Sequence, residues 1–422
     1  MIIHVVSRGE SVYLISRYYG VPAAKIASDN GLSNPDRLVV GQALVIMDPP
    51  STHTVVAGES LYSIAYSHGL TLAHLLRANP GLSSASVIYP GQVLVIPSRT
   101  MKLGAIEVNG YAMPTTGMEV LNRTLPYLTY LSIFSYSVNA DGSLNPIDDA
   151  ALIRAARQAG VAPVMVITNK GFGSDVASAV LYDTQAQDRL LTNVLQTLRT
   201  KNYYSLNIDF EYVYPSDRQS YNNFLSKTVN VMRSAGYKVS TAVAPKLSAS
   251  QAGLQYYAHD YPSHGALADR VIIMTYEWGF TYGPPMAVAP VNEVVRVLDY
   301  AVTAIPRHKI LMGIPNYGYD WTLPYVRGTA ARVVTNAGAV RLAYDVNADI
   351  SFDPLSQAPY FYYYDAAGKR HVVWFEDARS IYAKLQLPAR YGIAGVSYWT
   401  IGAFFPQNWL VLHALYDTIK VL

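Results

Sequence analysis

Apolar residues in this chain come in short bursts that alternate with helical patterns. From Lys102 onward eight β-rich bursts stand out: Lys102–Val108, Tyr127–Phe134, Ala162–Ile167, Ser205–Glu211, Lys238–Ala244, Asp269–Tyr276, Lys309–Pro315 and Gly392–Trp399. Between most of them lie helical stretches such as Asp188–Lys201, Arg218–Ser234 and Val291–Ala304. Strand and helix alternating eight times predict an α/β fold, a (β/α)8 barrel over residues 102–422. Only the gap between strands 7 and 8 is too long for one helix. It predicts a small α+β insertion near 323–375. There Tyr360–Tyr364 and His371–Phe375 read as two strands joined through Asp365-Ala366-Ala367-Gly368.

A repeat precedes the barrel. Gly9-Glu10-Ser11 recurs as Gly58-Glu59-Ser60, Asn30 as Asn79, and Gly41-Gln42 as Gly91-Gln92. Each copy (1–48 and 51–98) predicts strand, turn, helix, loop, helix, turn, strand, with Ser11 and Ser60 as helix caps. Asp48-Pro49-Pro50-Ser51 makes a stiff spacer between the copies, and Ser98-Arg99-Thr100 leads into the barrel. The βααβ pattern resembles the LysM domain, a module that binds peptidoglycan and chitin. That resemblance implies glycan contacts on two loops of each copy. In the first they are Gly9, Glu10, Ser11 and Val12 with Asn30, Gly31 and Leu32. In the second they are Gly58, Glu59, Ser60 and Leu61 with Asn79, Gly81 and Leu82. Turn chemistry explains many of the same residues.

Charge and composition narrow the chemistry. The net charge is +3, from 32 basic and 29 acidic residues, too mild for a nucleic-acid partner. No 18-residue uncharged run is present, so no membrane span is expected. The absence of cysteine excludes disulfides, thiolate catalysis and Cys-based zinc sites. No cofactor or metal is expected. The N-terminus is broken by Arg8 and Glu10 and does not read as a signal peptide. Tyrosine is over-represented, 35 against 10 Phe and 5 Trp, which suits a carbohydrate surface.

Strand 4 carries the chemistry. It ends Ser205-Leu206-Asn207-Ile208-Asp209-Phe210-Glu211. Alternation puts Asn207, Asp209 and Glu211 on one face and Leu206, Ile208 and Phe210 on the other. The apolar set suits the helix layer, so the polar set points into the barrel. Burial and like charge push carboxyl pKa values upward. Glu211 is then a proton donor near neutral pH, and Asp209, one step deeper, is expected to stay ionised.

This strand resembles the D-x-x-D-x-D-x-E signature of family 18 glycoside hydrolases. The last two acids match as Asp209 and Glu211, while Tyr204 and Asn207 replace the first two. The resemblance implies that Glu211 is the general acid/base and that Asp209 orients the substrate's acetamido group. Asn207 would hydrogen-bond Asp209 without taking its charge, which implies an altered acidic limb. Met274-Thr275-Tyr276-Glu277 resembles the family's M-x-Y-[DE] element. It implies Tyr276 on the acetamido oxygen, Met274 beneath the sugar and Glu277 beside it. Trp399, ending strand 8, would floor the sugar subsite. Asn316 and Tyr317 after strand 7, and Phe134 and Tyr136 on strand 2, are further substrate-binding candidates. Lys246 and Trp278 are candidates for the rim, and His371 is expected to be structural.

Taken whole, the chain resembles the spore cortical-fragment lytic N-acetylglucosaminidases of endospore-forming bacteria. That implies a retaining hydrolase of peptidoglycan, acting as a monomer. It would be made in the cytoplasm and deposited in the outer layers of the spore. Chitin is the alternative substrate, and a non-catalytic glycan-binding scaffold the alternative role.

Overall fold

The computed structural model describes residues 1–47, 51–97 and 102–422. The spacer residues 48–50 and the lead-in 98–100 lie outside them.

All eight predicted barrel strands are present, shifted by a few residues. In order they are Gly104–Ala112, Tyr130–Val138, Ala162–Asn169, Ser205–Ile208, Lys238–Val243, Arg270–Ile273, Ile310–Pro315 and Gly395–Trp399. Each runs parallel to the next, and strand 8 closes on strand 1 through pairs such as Ser397 with Asn109. Leu206, Ile208 and Phe210 are fully buried, and Phe210 stacks on Tyr221 and Phe224 of the helix Arg218–Ser234. The opposite end of the barrel is narrowed by an ion pair. Arg270 donates from Nε to Glu107 at 2.7 Å and again from a terminal nitrogen, a bidentate pair of the stronger kind.

The insertion begins at Gly318, earlier than the pattern predicts. Its five strands form an antiparallel sheet in the order Arg332–Val334, Gly318–Leu323, Arg370–Trp374, Ala358–Tyr364, Ser351–Asp353. The helix Asn336–Asp345 packs on it. Gly318 marks the start because a Cβ there would lie 2.2 Å from the Trp374 carbonyl oxygen. His371 sits within this sheet, its Nδ1 2.9 Å from Asp320, a structural place as expected.

The two N-terminal repeats fold alike. Repeat 1 pairs Ile2–Val5 with Ala43–Ile46 and carries helices Val12–Tyr19 and Ala23–Asp29. Repeat 2 pairs Ser51–Thr54 with Val93–Ile96 and carries helices Leu61–Ser67 and Leu72–Ala78. Ser11 and Ser60 cap the first helix of each repeat. Both repeats have their own apolar core.

Their surroundings differ. In repeat 1 every residue of Ala43–Ile46 is buried. Leu44 and Ile46 face the repeat's own core, while Ala43 and Val45 join the barrel's core. Val39 joins the insertion's core beside Ile350 and Phe361. The Ile350 N–H donates to the Val40 carbonyl at 2.8 Å, and Arg379 and Gln407 donate to the carbonyls of Gly41 and Asn30. A Cβ on Gly41 would lie 1.9 Å from the Ile350 carbonyl oxygen, so only glycine permits this approach. In repeat 2, among the described residues, every hydrogen bond and ion pair closes within the repeat.

Candidate active site

The strand-4 ladder ends at Ile208, yet the three residues beyond it are held firmly. Asn169, ending strand 3, clamps the backbone of Glu211 from both sides. Its Oδ1 accepts from the Glu211 N–H and its Nδ2 donates to the Glu211 carbonyl, both at 3.0 Å. His259 bridges strands 4 and 5, donating from Nε2 to the Phe210 carbonyl at 2.9 Å and accepting at Nδ1 from the Ala244 N–H at 2.8 Å. These bonds select one neutral tautomer. Burial agrees, pulling the imidazole down to about 4.

Asp209 and Glu211 line a cavity of about 530 Å³ at the C-terminal ends of the strands. Tyr276, Met274, Trp399 and Phe134 share its wall. Trp399 packs edge-on against Phe134 and Tyr111. A second cavity of about 460 Å³ opens between barrel and insertion, where Asn316 and Tyr317 lie. Trp399 and Glu277 line both cavities.

Burial, reinforced by the Glu277 carboxylate, lifts Glu211 to about 7. Burial lifts Asp209 as well, with Glu211 adding to it. One Asp209 oxygen lies buried without a hydrogen-bond partner. Two carboxyls in one pocket titrate as a pair, and a proton on one favours the charge on the other. Glu277 is raised by burial, against the pull of hydroxyl bonds from Tyr317 and Tyr319.

Two substrate candidates are not in either cavity. Tyr136 points outward, where its hydroxyl bonds Asp149 and accepts from Lys201 at 2.8 Å. In a regular strand Phe134 and Tyr136 would share a face. A register shift between Ile133 and Tyr136 separates them, as a bulge does. Asn207 is inward but fully buried beneath the pocket. It accepts from the Tyr111 hydroxyl at 3.0 Å and donates to Ser240 at 2.9 Å, so its amide is committed there and not to Asp209. Asn316 touches the second cavity, but its amide is spent bracing the carbonyls of Thr400 and Ala403. Trp278 is on the cavity wall. Lys246 is buried, donating to the His259 carbonyl.

The sequence reading missed several lining residues: Tyr111 at the end of strand 1, Phe172, Tyr212, Gln255 and Tyr256. Tyr111 was findable, because it ends a barrel strand on the catalytic face. The others sit on loops with no periodic signal.

In the repeats, the shared polar residues build the scaffold. Asn30 bonds both backbone groups of Val45, and Asn79 those of Val95. Glu10 accepts from the Ser7 N–H and meets His4, and Glu59 does the same with Val56 and His53.

No helix among the described residues is long and apolar enough to cross a membrane. The model of glycosyl hydrolases family 18 matches residues 118–403, and the LysM domain model matches residues 4–46 and 53–97. The chain is 41% identical over 418 residues to a cortical fragment-lytic enzyme of Bacillus anthracis, covering 96% of both chains. It is 39% identical to the Bacillus subtilis (strain 168) cortical fragment-lytic enzyme, covering 100% of this chain and 99% of that one. The crystal structure of the Bacillus megaterium QM B1551 spore cortex-lytic enzyme SleL superposes with a TM-score of 0.87 at 36% identity, over 100% of this chain and 99% of that one. By the span of that match and the closeness of these relatives, the chain belongs to glycosyl hydrolases family 18, with two LysM domains ahead of its barrel.

Proposed function

We propose that this protein hydrolyses spore-cortex peptidoglycan fragments as a retaining N-acetylglucosaminidase, and that it acts from the outer layers of the spore. The carrying observation is Glu211, lifted to about 7 at the end of strand 4 beside buried Asp209, in a cavity floored by Trp399. The similarity to cortical fragment-lytic enzymes over nearly the whole length supports the substrate class and the spore setting.

The reaction proposed is the substrate-assisted one that the family implies, and the placement of Glu211, Asp209 and Tyr276 in one cavity suits it. Glu211 protonates the glycosidic oxygen as general acid. The sugar's own acetamido oxygen attacks the anomeric carbon, so no protein nucleophile is used. Asp209, with its unpartnered oxygen, takes the acetamido N–H and stabilises the positive oxazolinium. Tyr276 bonds the acetamido oxygen and holds it in line. Glu211, now a carboxylate, removes a proton from the incoming water, and the configuration is retained.

Glu211→Gln is expected to lower kcat by at least about 10³-fold, the usual reach of general acid–base catalysis, while the protein still pulls down with insoluble cortex. The assay is mass spectrometry of reducing ends from cortex fragments and from chitin oligosaccharides. Undiminished turnover by the mutant would remove Glu211 from the mechanism. Products from chitin alone would move the assignment to chitinase.

The pH profile follows from the same residue. Glu211 must start protonated, so kcat/KM is expected to fall as pH rises through about 7. Neutralising Glu277 as Glu277→Gln removes a like charge, lowers the Glu211 pKa and shifts that alkaline limb toward lower pH. A limb that stays in place would refute the coupling.

A further inference from the structure

Repeat 1 is not merely attached to the barrel. It sits in the angle between two elements that also border the second cavity. On one side, the loop of Thr400, Gly402 and Ala403 edges that cavity, and Asn316 braces it at 2.8 Å from the Ala403 carbonyl. Three residues further, Pro406 opens the helix Pro406–Leu415, within about 11 Å by chain length alone. A Cβ on Gly31 of repeat 1 would touch Pro406 at 2.9 Å, and Gln407 donates to the Asn30 carbonyl. On the other side, Val333, Val334 and Thr335 edge the same cavity, and the helix Asn336–Asp345 follows directly. The far end of that helix meets repeat 1, where Arg37 lies over Tyr344 and Arg8 reaches Asp349.

Docking leaves the first loop of repeat 1 open and covers part of the second. Gly9 is exposed and Glu10 and Ser11 are half-buried, while Asn30 is buried under Gln407 and Gly31 lies against Pro406; Leu32 is half-buried and Ser33 exposed beyond them. The open loop of repeat 1 and the exposed Ser33 are therefore held at a separation from the cleft that the packing fixes.

We propose that repeat 1 is a fixed outer subsite of the catalytic cleft. It takes the N-acetylglucosamine-containing glycan strand beyond the second cavity, and repeat 2 alone is the tether. This rests on the hydrolase reading above for the identity of the strand. A rigidly held subsite adds binding only to strands long enough to reach it, at one register. A linked module raises local concentration for any polymer it can grip. Substrate length separates the two roles.

The test uses the full chain and soluble cortex glycan fragments graded by length. The kcat/KM is expected to rise about tenfold once fragments span cleft and groove. Ser33, exposed next to Leu32 in repeat 1, is replaced as Ser33→Trp and Ser33→Arg, two blocks of different chemistry. Both are expected to abolish the rise while short fragments turn over as before. The matching changes in repeat 2, Ser83→Trp and Ser83→Arg, are expected to weaken pull-down with insoluble cortex and keep the rise. Survival of the rise in both Ser33 variants, with unchanged circular dichroism and Tm, would overturn the proposal. So would its equal loss in the Ser83 variants. If the wild-type chain cleaves none of the fragments, the hydrolase reading is what fails. Titration of the long fragments into Glu211→Gln protein, with and without Ser33→Trp, then still decides whether repeat 1 binds in line with the cleft. A Ser33-dependent Kd supports it, and an unchanged one overturns it.

Discussion

Repeat 1 and repeat 2 share turn, cap and core, and differ in what lies against the outer face of their second strand. In repeat 1 that face is Ala43 and Val45, sealed within the barrel's core. In repeat 2 it is Val93 and Val95, 59% and 41% exposed. The residue types are nearly the same, and the difference lies in the partner. Gly41 meets the Ile350 carbonyl, whereas Gly91, in the same turn, has open space around it. A module's fold is thus encoded within the module, but whether it is a free domain or part of a larger body is encoded across the interface.

The largest effect is expected where that contrast is sharpest. Val45→Asp would bury an unpaired carboxylate between repeat 1 and the barrel, at a cost of about 3–4 kcal/mol, while Val95→Asp at a half-open surface should cost under about 1 kcal/mol. Denaturant melts of the two variants measure this, and equal losses would mean repeat 1 is not docked in solution. Next comes Gly41→Ala against Gly91→Ala. Both turns have positive φ, so both lose about 1 kcal/mol to backbone strain. Gly41→Ala should lose roughly 2 kcal/mol more by pushing against Ile350. Differential scanning of the pair reads the excess. The smallest difference is expected between Asn30→Ala and Asn79→Ala. Each breaks the same side-chain bridge to the second strand and should cost its own repeat about 1–2 kcal/mol. A large gap between them would show that the bridge counts for more where the second strand is docked on the barrel.

Much of this was legible in the chain. Alternation placed Asp209 and Glu211 on the inward face and Phe210 against the helices, because period-two patterning survives in a strand buried on both sides by different chemistries. The repeat was legible because Gly, Ser and Asn recur where turns and caps require them. Tyr136 was misplaced because a bulge leaves no mark in the residue pattern. Asn207 was read as a partner of Asp209, since spacing reveals a shared face but not which neighbour an amide selects. Asn169 and His259, which hold the ends of strand 4, were missed: their work is done across strands, far apart in sequence. The docking of repeat 1 was equally hidden, as Ala43-Leu44-Val45-Ile46 reads as an ordinary strand in either setting.

The pair of Arg270 and Glu107 at the far end of the barrel bears on traffic as well as stability. That end keeps only a cavity of about 30 Å³, lined by Asn109, Ser132 and Ser240 among others, room for a water and not for a sugar. Intact strand and cleaved product therefore share one brim, at the C-terminal ends of the strands. With repeat 1 as the proposed outer subsite, the wall that guides a strand inward is also one the severed piece must clear on its way out.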